Sequence, residues 1–310
     1  MHVIFMGTPD FAARILEKLA EENTDIALVV TQPDRVKGRG KSVAMSDVKE
    51  TALKYSIPVF QPERIREPEA VQKIREIKPD IIVVAAFGQI LPKELLEIPE
   101  YGCINMHASL LPRFRGASPI QQAIIEGDKV TGVTVMQMNE GLDTGDILFQ
   151  EKIDIADDET GGSLFEKLSN LGAEAAVRAL REAEAGRLVA TPQSEEGASY
   201  AGLIKKEYGR LDFTGCTAAR CERLVRALNP WPSAFSSVNG KLIKIWKSRV
   251  GREGRFSAPG TVTRLGASDF AIQCSDAELV ISEVQLEGKK RMSVHDFLLG
   301  FRLKEGDVFI

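Results

Sequence analysis

Two hydrophobic periods alternate along the first half of the chain. Short apolar runs at 2–5 (HVIF), 26–32 (IALVVTQ), 57–61 (IPVFQ) and 80–87 (DIIVVAAF) have the pattern of buried strands. Between them the period lengthens. Residues 10–21, DFAARILEKLAE, set Phe11, Ile15 and Leu19 four apart, on one helical face. The same reasoning predicts helices over 48–55, 68–77 and 163–186, and strands over 102–108, 131–138 and 145–155. Gly7-Thr8-Pro9-Asp10 turns the first strand into the first helix, with Thr8 placed to cap it and Pro9 suited to its first position. Strands alternating with helices predict an α/β fold with a doubly wound, mostly parallel sheet. Ligands of such sheets bind beyond the carboxyl ends of the strands, so chemistry is expected just after each apolar run.

The pattern changes after residue 189. Residues 190–208 are mixed and polar, without a period, and read as a linker. A helix follows over 216–229. After it come short strand-like pieces (AFSSV, LIKIWKSRV, GTVTRL, FAIQC, ELVISEVQL), with Asn239-Gly240 as a hairpin turn. Regular short strands predict a small β-barrel or sandwich. The expected organisation is a first domain over 1–189, a linker over 190–208 and a smaller β domain over 209–310.

The 310 residues are 44% hydrophobic and 27% charged, as expected of an ordinary soluble two-domain protein. No run approaches the length of a membrane span, and MHVIFMG has neither the basic lead nor the cleavage site of a secretory leader. Four cysteines in a chain this long make no disulfide framework, so a reducing cytoplasm is expected. The net charge of −4 is unevenly distributed. Residues 205–310 hold 18 Lys and Arg against 12 Asp and Glu, a net of +6, which suggests an anionic partner for that part.

There are three histidines. His107 follows a predicted strand, and Asn105, two residues before it, projects from the same face. A polar and basic loop follows, Ser-Leu-Leu-Pro and then Arg-Phe-Arg-Gly. A second cluster, NEGLDTGDI (139–147), carries Glu140, Asp143 and Asp146 after another strand. Each has a structural reading as well, since a histidine at a strand end is often satisfied locally and Asp and Gly are common in turns. If the two loops meet, an amide, an imidazole and a carboxylate suit transfer of a polarised carbonyl group. The amide and a protonated imidazole donate to a developing oxyanion, and the carboxylate keeps the imidazole charged or positions a water. No serine or cysteine is evidently paired with a base, which favours direct transfer. No zinc spacing, no GxxxxGK[ST] and no GxGxxG occurs, so neither a metal nor a bound nucleotide cofactor is expected. Finally, DRVKGRGKS (34–42) alternates Arg35, Lys37, Arg39 and Lys41 with small residues past a strand end. That composition suits either a solvated loop or one that embraces a phosphate backbone.

NMHASLLPRFRGASPIQQAI, followed by GVTVMQMNEGLDTGDIL, resembles the 10-formyltetrahydrofolate-dependent formyltransferases. The Asn-x-His pair, the SLLP loop and the LDTG aspartate match in type and spacing. Further matches run the length of the chain: FMGTPDFA, VVTQPDR, GRGK, AAFGQILP (85–92), ALNPWPSAF (227–235) and HDFLLGFRLKEGD (295–307). They point to the members whose acceptor is methionyl initiator tRNA. The resemblance implies a Rossmann-like formyltransferase domain followed by an OB-like barrel. It implies transfer of a formyl group from 10-formyltetrahydrofolate to the α-amine of methionyl-tRNA for translation initiation, by a cytoplasmic monomer. Asn105, His107 and Asp143 would be the catalytic trio. Phe87, Gly88, Gln89, Ile90 and Leu91, with Ser109, Leu110, Leu111 and Pro112, would line the folate pocket, and Asn139, Glu140 and Gly141 would close over the pterin. Arg35, Lys37, Arg39 and Lys41, with Lys205 and Lys206, would bind the tRNA. No metal and no membrane is implied.

Overall fold

Side-chain parity along the strands sets the layers. On β1 (Val3–Gly7), β2 (Ile26–Val30) and later β6 (Ile81–Ala85), the even positions Ile4, Met6, Leu28, Val30, Ile82 and Val84 face one way. They form one core cluster with Ala70 and Ile74 of the helix Pro68–Ile77, and with Phe87, Leu91 and Leu95. The odd positions Val3, Phe5, Val29 and Val83 are buried on the opposite face, as are Phe11, Ile15 and Leu19 of α1 (Asp10–Glu21). Strands buried on both faces read as continuous apolar runs, which is why they were visible in the sequence.

The computed structural model describes residues 1–37 and 42–310. The chain forms two compact units. The first comprises Met1–Pro119, Val130–Asp154 and Phe165–Ala201. Its remaining strands are β3 (Arg35–Lys37), β4 (Ser42–Ala44), β5 (Val59–Phe60), β7 (Cys103–His107), β8 (Arg115–Gly116), β9 (Val130–Gln137), β10 (Ile147–Asp154) and β11 (Tyr200–Ala201). The central sheet has the order β10-β9-β7-β6-β1-β2-β5. Its five strands from β7 to β5 are parallel, and β9 and β10 are antiparallel additions. The helices α2 (Asp47–Lys54), α3 (Pro68–Ile77) and α4 (Lys93–Leu96) follow the early strands. Next in chain order are α5 (Pro119–Glu126), which the apolar pattern did not announce and which belongs to the second unit from Ile120 on, and α6 (Gly161–Glu184).

Three expectations change. Thr8 does not cap α1. Pro9 occupies the N-cap position without a side-chain bond, and the Thr8 hydroxyl donates to the Phe87 carbonyl at 3.1 Å. The polar stretch before residue 45 contains a small hairpin, β3 paired with β4. Residues 190–201, read as linker, are not bare chain. Thr191 exchanges backbone hydrogen bonds with Ile147, and β11 pairs in parallel with β8.

The second unit comprises Ile120–Lys129, Ile155–Leu164 and Gly202–Ile310. It thus draws residues 120–129 and 155–164 from the stretch read as the first domain. Its strands β12 (Ala234–Val238), β13 (Lys241–Glu253), β14 (Val262–Leu265), β15 (Phe270–Gln273), β16 (Ala277–Leu286) and β17 (Met292–Ser293) form an antiparallel sheet in the order β12-β13-β16-β15-β14, with β17 on β16. Asn239 and Gly240 take positive φ (51° and 70°), the turn that an Asn-Gly hairpin prefers. Register shifts along the β13–β16 pair bend the sheet. The terminal segment then bridges its two edges. Ile310 exchanges backbone bonds with Ser237 of β12, and Asp307 accepts from Val262 of β14. The interior holds Phe270, stacked on Phe309 at 5.7 Å, and Phe297 of α8 (Val294–Gly300).

Candidate active site

Asn105 and His107 share the face of Cys103, which belongs to the buried cluster described above. They stand at the carboxyl end of β7, beside the carboxyl ends of β6 and β1. Both are buried, at 9% and 6% exposure. His107 Nε2 lies 3.0 Å from the Phe114 carbonyl, which only accepts, so Nε2 carries a proton. Nδ1 faces Asp143 Oδ2 at 3.6 Å, longer than a hydrogen bond. Both ring nitrogens therefore look onto acceptors. Among the described residues the Asn105 amide makes no side-chain hydrogen bond, so its donors are available to a ligand.

Asp143 does not reach the imidazole from a neighbouring carboxyl end. β9 runs antiparallel to β7, with Thr134 opposite His107 and Gln137 opposite Ile104. Met138 N–H donates to Cys103 O, so the loop 139–146 leaves β9 at the far end of β7 from His107. It must turn back to bring Asp143 to the imidazole. Asp143 takes a positive φ of 53°, a strained conformation for a non-glycine residue, and its Oδ2 accepts from Gly116 N–H at 2.7 Å.

The SLLP loop is held from behind. Thr134 Oγ1 donates to Ser109 O at 2.6 Å and accepts from Leu111 N–H at 3.0 Å. Gln150 Nε2 donates to Leu111 O at 2.9 Å. Ser109 and Leu111 are buried, while Leu110 and Pro112 are half-buried. After β6, Phe87 and Leu91 are core residues, whereas Gly88 is exposed and Ile90 is 81% exposed. The Phe87 carbonyl gathers donors from two other strand ends, Thr8 Oγ1 and Gln32 Nε2. Gln89 holds the backbone of Ile65. Asn139, Glu140 and Gly141 stay in an exposed turn, where Asn139 Oδ1 accepts from Gly141 N–H and Thr144 Oγ1. No hydrogen bond joins them to Ser109–Pro112 among the described residues.

Of the basic residues, Arg35 is exposed and donates to Gln32 Oε1 at 2.7 Å. Lys37 contributes backbone to β3. Arg39 and Lys41 lie outside the described residues. In the second unit Lys205 and Lys206 are exposed. The arginines of α7 (Ala218–Ala227) are not a bare basic face. Arg226 pairs with Glu222 and donates to Glu159 O, Arg223 donates to Ile125 O, and Arg220 lies 3.6 Å from Glu126.

Arg115, part of the polar and basic loop after β7, is 1% exposed. Its partners Gln193 and Glu195 lie 78 and 80 residues away and carry no local signal. No spacing rule announces such pairs. The described residues hold no group of three His, Cys, Asp or Glu placed to bind a metal, and no helix long and apolar enough to cross a membrane.

A mostly parallel sheet with Asn105 and His107 at a strand's carboxyl end, followed by an antiparallel β unit, agrees in fold with the comparisons. The chain belongs to the formyl transferase family: residues 1–180 match the formyl transferase domain, and 203–302 match its C-terminal domain. Its relatives are more particular. It is 50% identical to methionyl-tRNA formyltransferase of Agathobacter rectalis over 309 residues, covering 100% of this chain and 99% of that one. It is 49% identical to methionyl-tRNA formyltransferase of Lachnospira eligens over 311 residues, covering 99% and 98%. An N-formyltransferase from Helicobacter canadensis, solved with folinic acid and dTDP-3-aminofucose, shares the fold with a TM-score of 0.68. It is 19% identical, over 94% of this chain and 99% of that one.

Proposed function

We propose that this chain transfers the formyl group of 10-formyltetrahydrofolate to the α-amino group of methionyl initiator tRNA, giving N-formylmethionyl-tRNA and tetrahydrofolate for translation initiation. The observation that carries this reading is the Asp143 carboxylate 3.6 Å from the imidazole of buried His107, with buried Asn105 two residues earlier on the same strand face, on the residues that carry the family resemblance.

The amine attacks the formyl carbon. The Asn105 amide and the protonated His107 stabilise the tetrahedral oxyanion, and the Asp143 carboxylate keeps the imidazole charged. With Nε2 engaged by Phe114 O, Nδ1, on the Asp143 side of the ring, is the nitrogen left to serve the reacting group. A water organised by Asp143 carries the amine proton to the departing folate nitrogen as its bond to the formyl carbon breaks. Phe87–Leu91 and Ser109–Pro112 line the folate pocket, with Asn139–Gly141 closing over the pterin. Arg35, Lys37, Arg39 and Lys41 hold the acceptor end of the tRNA, and Lys205 and Lys206 its backbone. The protein acts as a cytoplasmic monomer away from membranes. The first compact unit is the catalytic one, and the second, which includes 202–310, is an OB-like tRNA-binding unit.

The test is formyl transfer from 10-formyltetrahydrofolate with methionyl initiator tRNA, free methionine and uncharged tRNA as parallel acceptors. Product with the charged tRNA alone is expected. Turnover with an amino sugar nucleotide instead would reassign the acceptor.

A further inference from the structure

The loop that carries Asp143 is fastened by a residue from far along the chain. The side-chain amide of Gln193 donates through Nε2 to two carbonyls of that loop, Asp143 O at 2.9 Å and Gly145 O at 2.6 Å. Its Oε1 accepts from Arg115 twice, from Nε at 3.2 Å and Nη2 at 3.0 Å. Both amide protons and both acceptor positions are thus engaged. The Arg115 guanidinium is buried and meets Glu195 on its other edge, at 3.1 Å and 3.3 Å. Next to Arg115, Gly116 N–H holds the Asp143 carboxylate itself.

Orientation follows from donor chemistry. A guanidinium only donates, so Oε1 of Gln193 must face Arg115 and Nε2 must face the loop. Asp143 needs that support, because its positive φ is a conformation the loop would leave if unrestrained. Arg115 and Gly116 on one side and Gln193 on the other grip Asp143 by its carboxylate and by its carbonyl.

We propose that Gln193, oriented by Arg115, is a positioning residue that sets the Asp143 carboxylate against His107. This rests on the reading of Asp143 as a member of the catalytic trio. Displacements near 1 Å at a reacting centre cost up to about a hundredfold in rate.

The experiment measures kcat, both KM values and urea stability for the full chain, for Gln193→Ala and Gln193→Glu, and for each in an Asp143→Asn background. Gln193→Ala is expected to lower kcat about tenfold or more, with the KM for 10-formyltetrahydrofolate changed less than about threefold. Gln193→Glu is expected to lose at least as much. Its carboxylate still faces Arg115 but opposes two carbonyl oxygens with an acceptor. In the Asp143→Asn background the Gln193 substitutions are expected to change kcat less than about twofold, because coupled residues fail to add. A purely structural role would instead lower stability and act equally in both backgrounds. Wild-type kcat in Gln193→Ala, or equal losses in both backgrounds, would overturn the proposal while leaving the trio intact. An Asp143→Asn protein with native turnover would overturn the trio, and this proposal with it.

Discussion

The Asp143 carboxylate lies 3.6 Å from Nδ1 of His107, although the strand that precedes Asp143 runs antiparallel to the strand that carries His107. The pair is made by a returning loop. Its geometry makes Asp143 the most conditional member of the proposed trio, and Asn105 and His107, on β7, the fixed ones.

Asn105→Ala and His107→Ala are each expected to lower turnover by about 10²–10³ or more, the usual cost of losing an oxyanion donor. Both should keep a near-native urea midpoint, since among the described residues Asn105 makes no side-chain bond and His107 gives up one, to Phe114 O. Steady-state formyl transfer with folded protein checks this. Native turnover in His107→Ala would remove the imidazole from the mechanism.

Gly145 is confined by backbone. A Cβ there would lie 1.7 Å from Gln137 O, an atom fixed by the β9–β10 turn. Gly145→Ala must therefore push the loop away from the sheet and off Gln193. The expected result is a destabilisation of about 1–3 kcal/mol, as for other overpacked sites, with a loss of kcat. Urea denaturation read beside kcat tests it, and a native kcat would show that the loop tolerates displacement.

The cationic residues divide into two groups. Arg39→Ala is expected to raise the KM for methionyl-tRNA and leave that for 10-formyltetrahydrofolate unchanged. Lys205→Ala and Lys206→Ala should each flatten the salt dependence of tRNA affinity by up to about one unit of slope. Arg223→Ala should leave that slope alone and lower stability instead, because its guanidinium is bound to Ile125 O. Binding titrations over a salt series separate the two groups.

A pH effect is built into the second unit. Glu278 is buried and accepts from Arg252 at 2.6 and 2.9 Å and from Thr263 at 2.6 Å. The Arg252 bonds hold its carboxyl down at about 2 against the opposing effect of burial. An unfolded glutamate titrates near about 4.3. The folded value is the lower one, so this carboxylate stabilises the fold above about pH 4.3, and that contribution fades as the pH falls towards about 2. Glu278→Gln should therefore be less stable than wild type at pH 7, with the gap narrowing as the pH falls through that window. Urea midpoints at pH 7 and pH 3 measure it, and a constant gap would refute the assignment.

Local pattern alone determined a good deal. Periodicity placed α1 and α3 at their observed ends, because an amphipathic helix buries one stripe and shows it every three to four residues. The core strands were legible because both of their faces are buried. Asn105 and His107 were legible as a pair because a strand repeats every two residues, and Asn239-Gly240 because few residues accept two positive φ values in succession. Tertiary structure decided what depends on remote partners. The direction of β9 is set by pairing with β7, and nothing in an alternating strand records the sense of its neighbour. The Thr8 hydroxyl was drawn from a cap to the Phe87 carbonyl, 79 residues on. Arg115 reads as surface charge and is buried, because its partners Gln193 and Glu195 lie beyond the reach of any local pattern. Short-range periodicity encodes which face is buried. Which polar groups meet inside the fold is settled only when distant segments are brought together and each donor finds an acceptor.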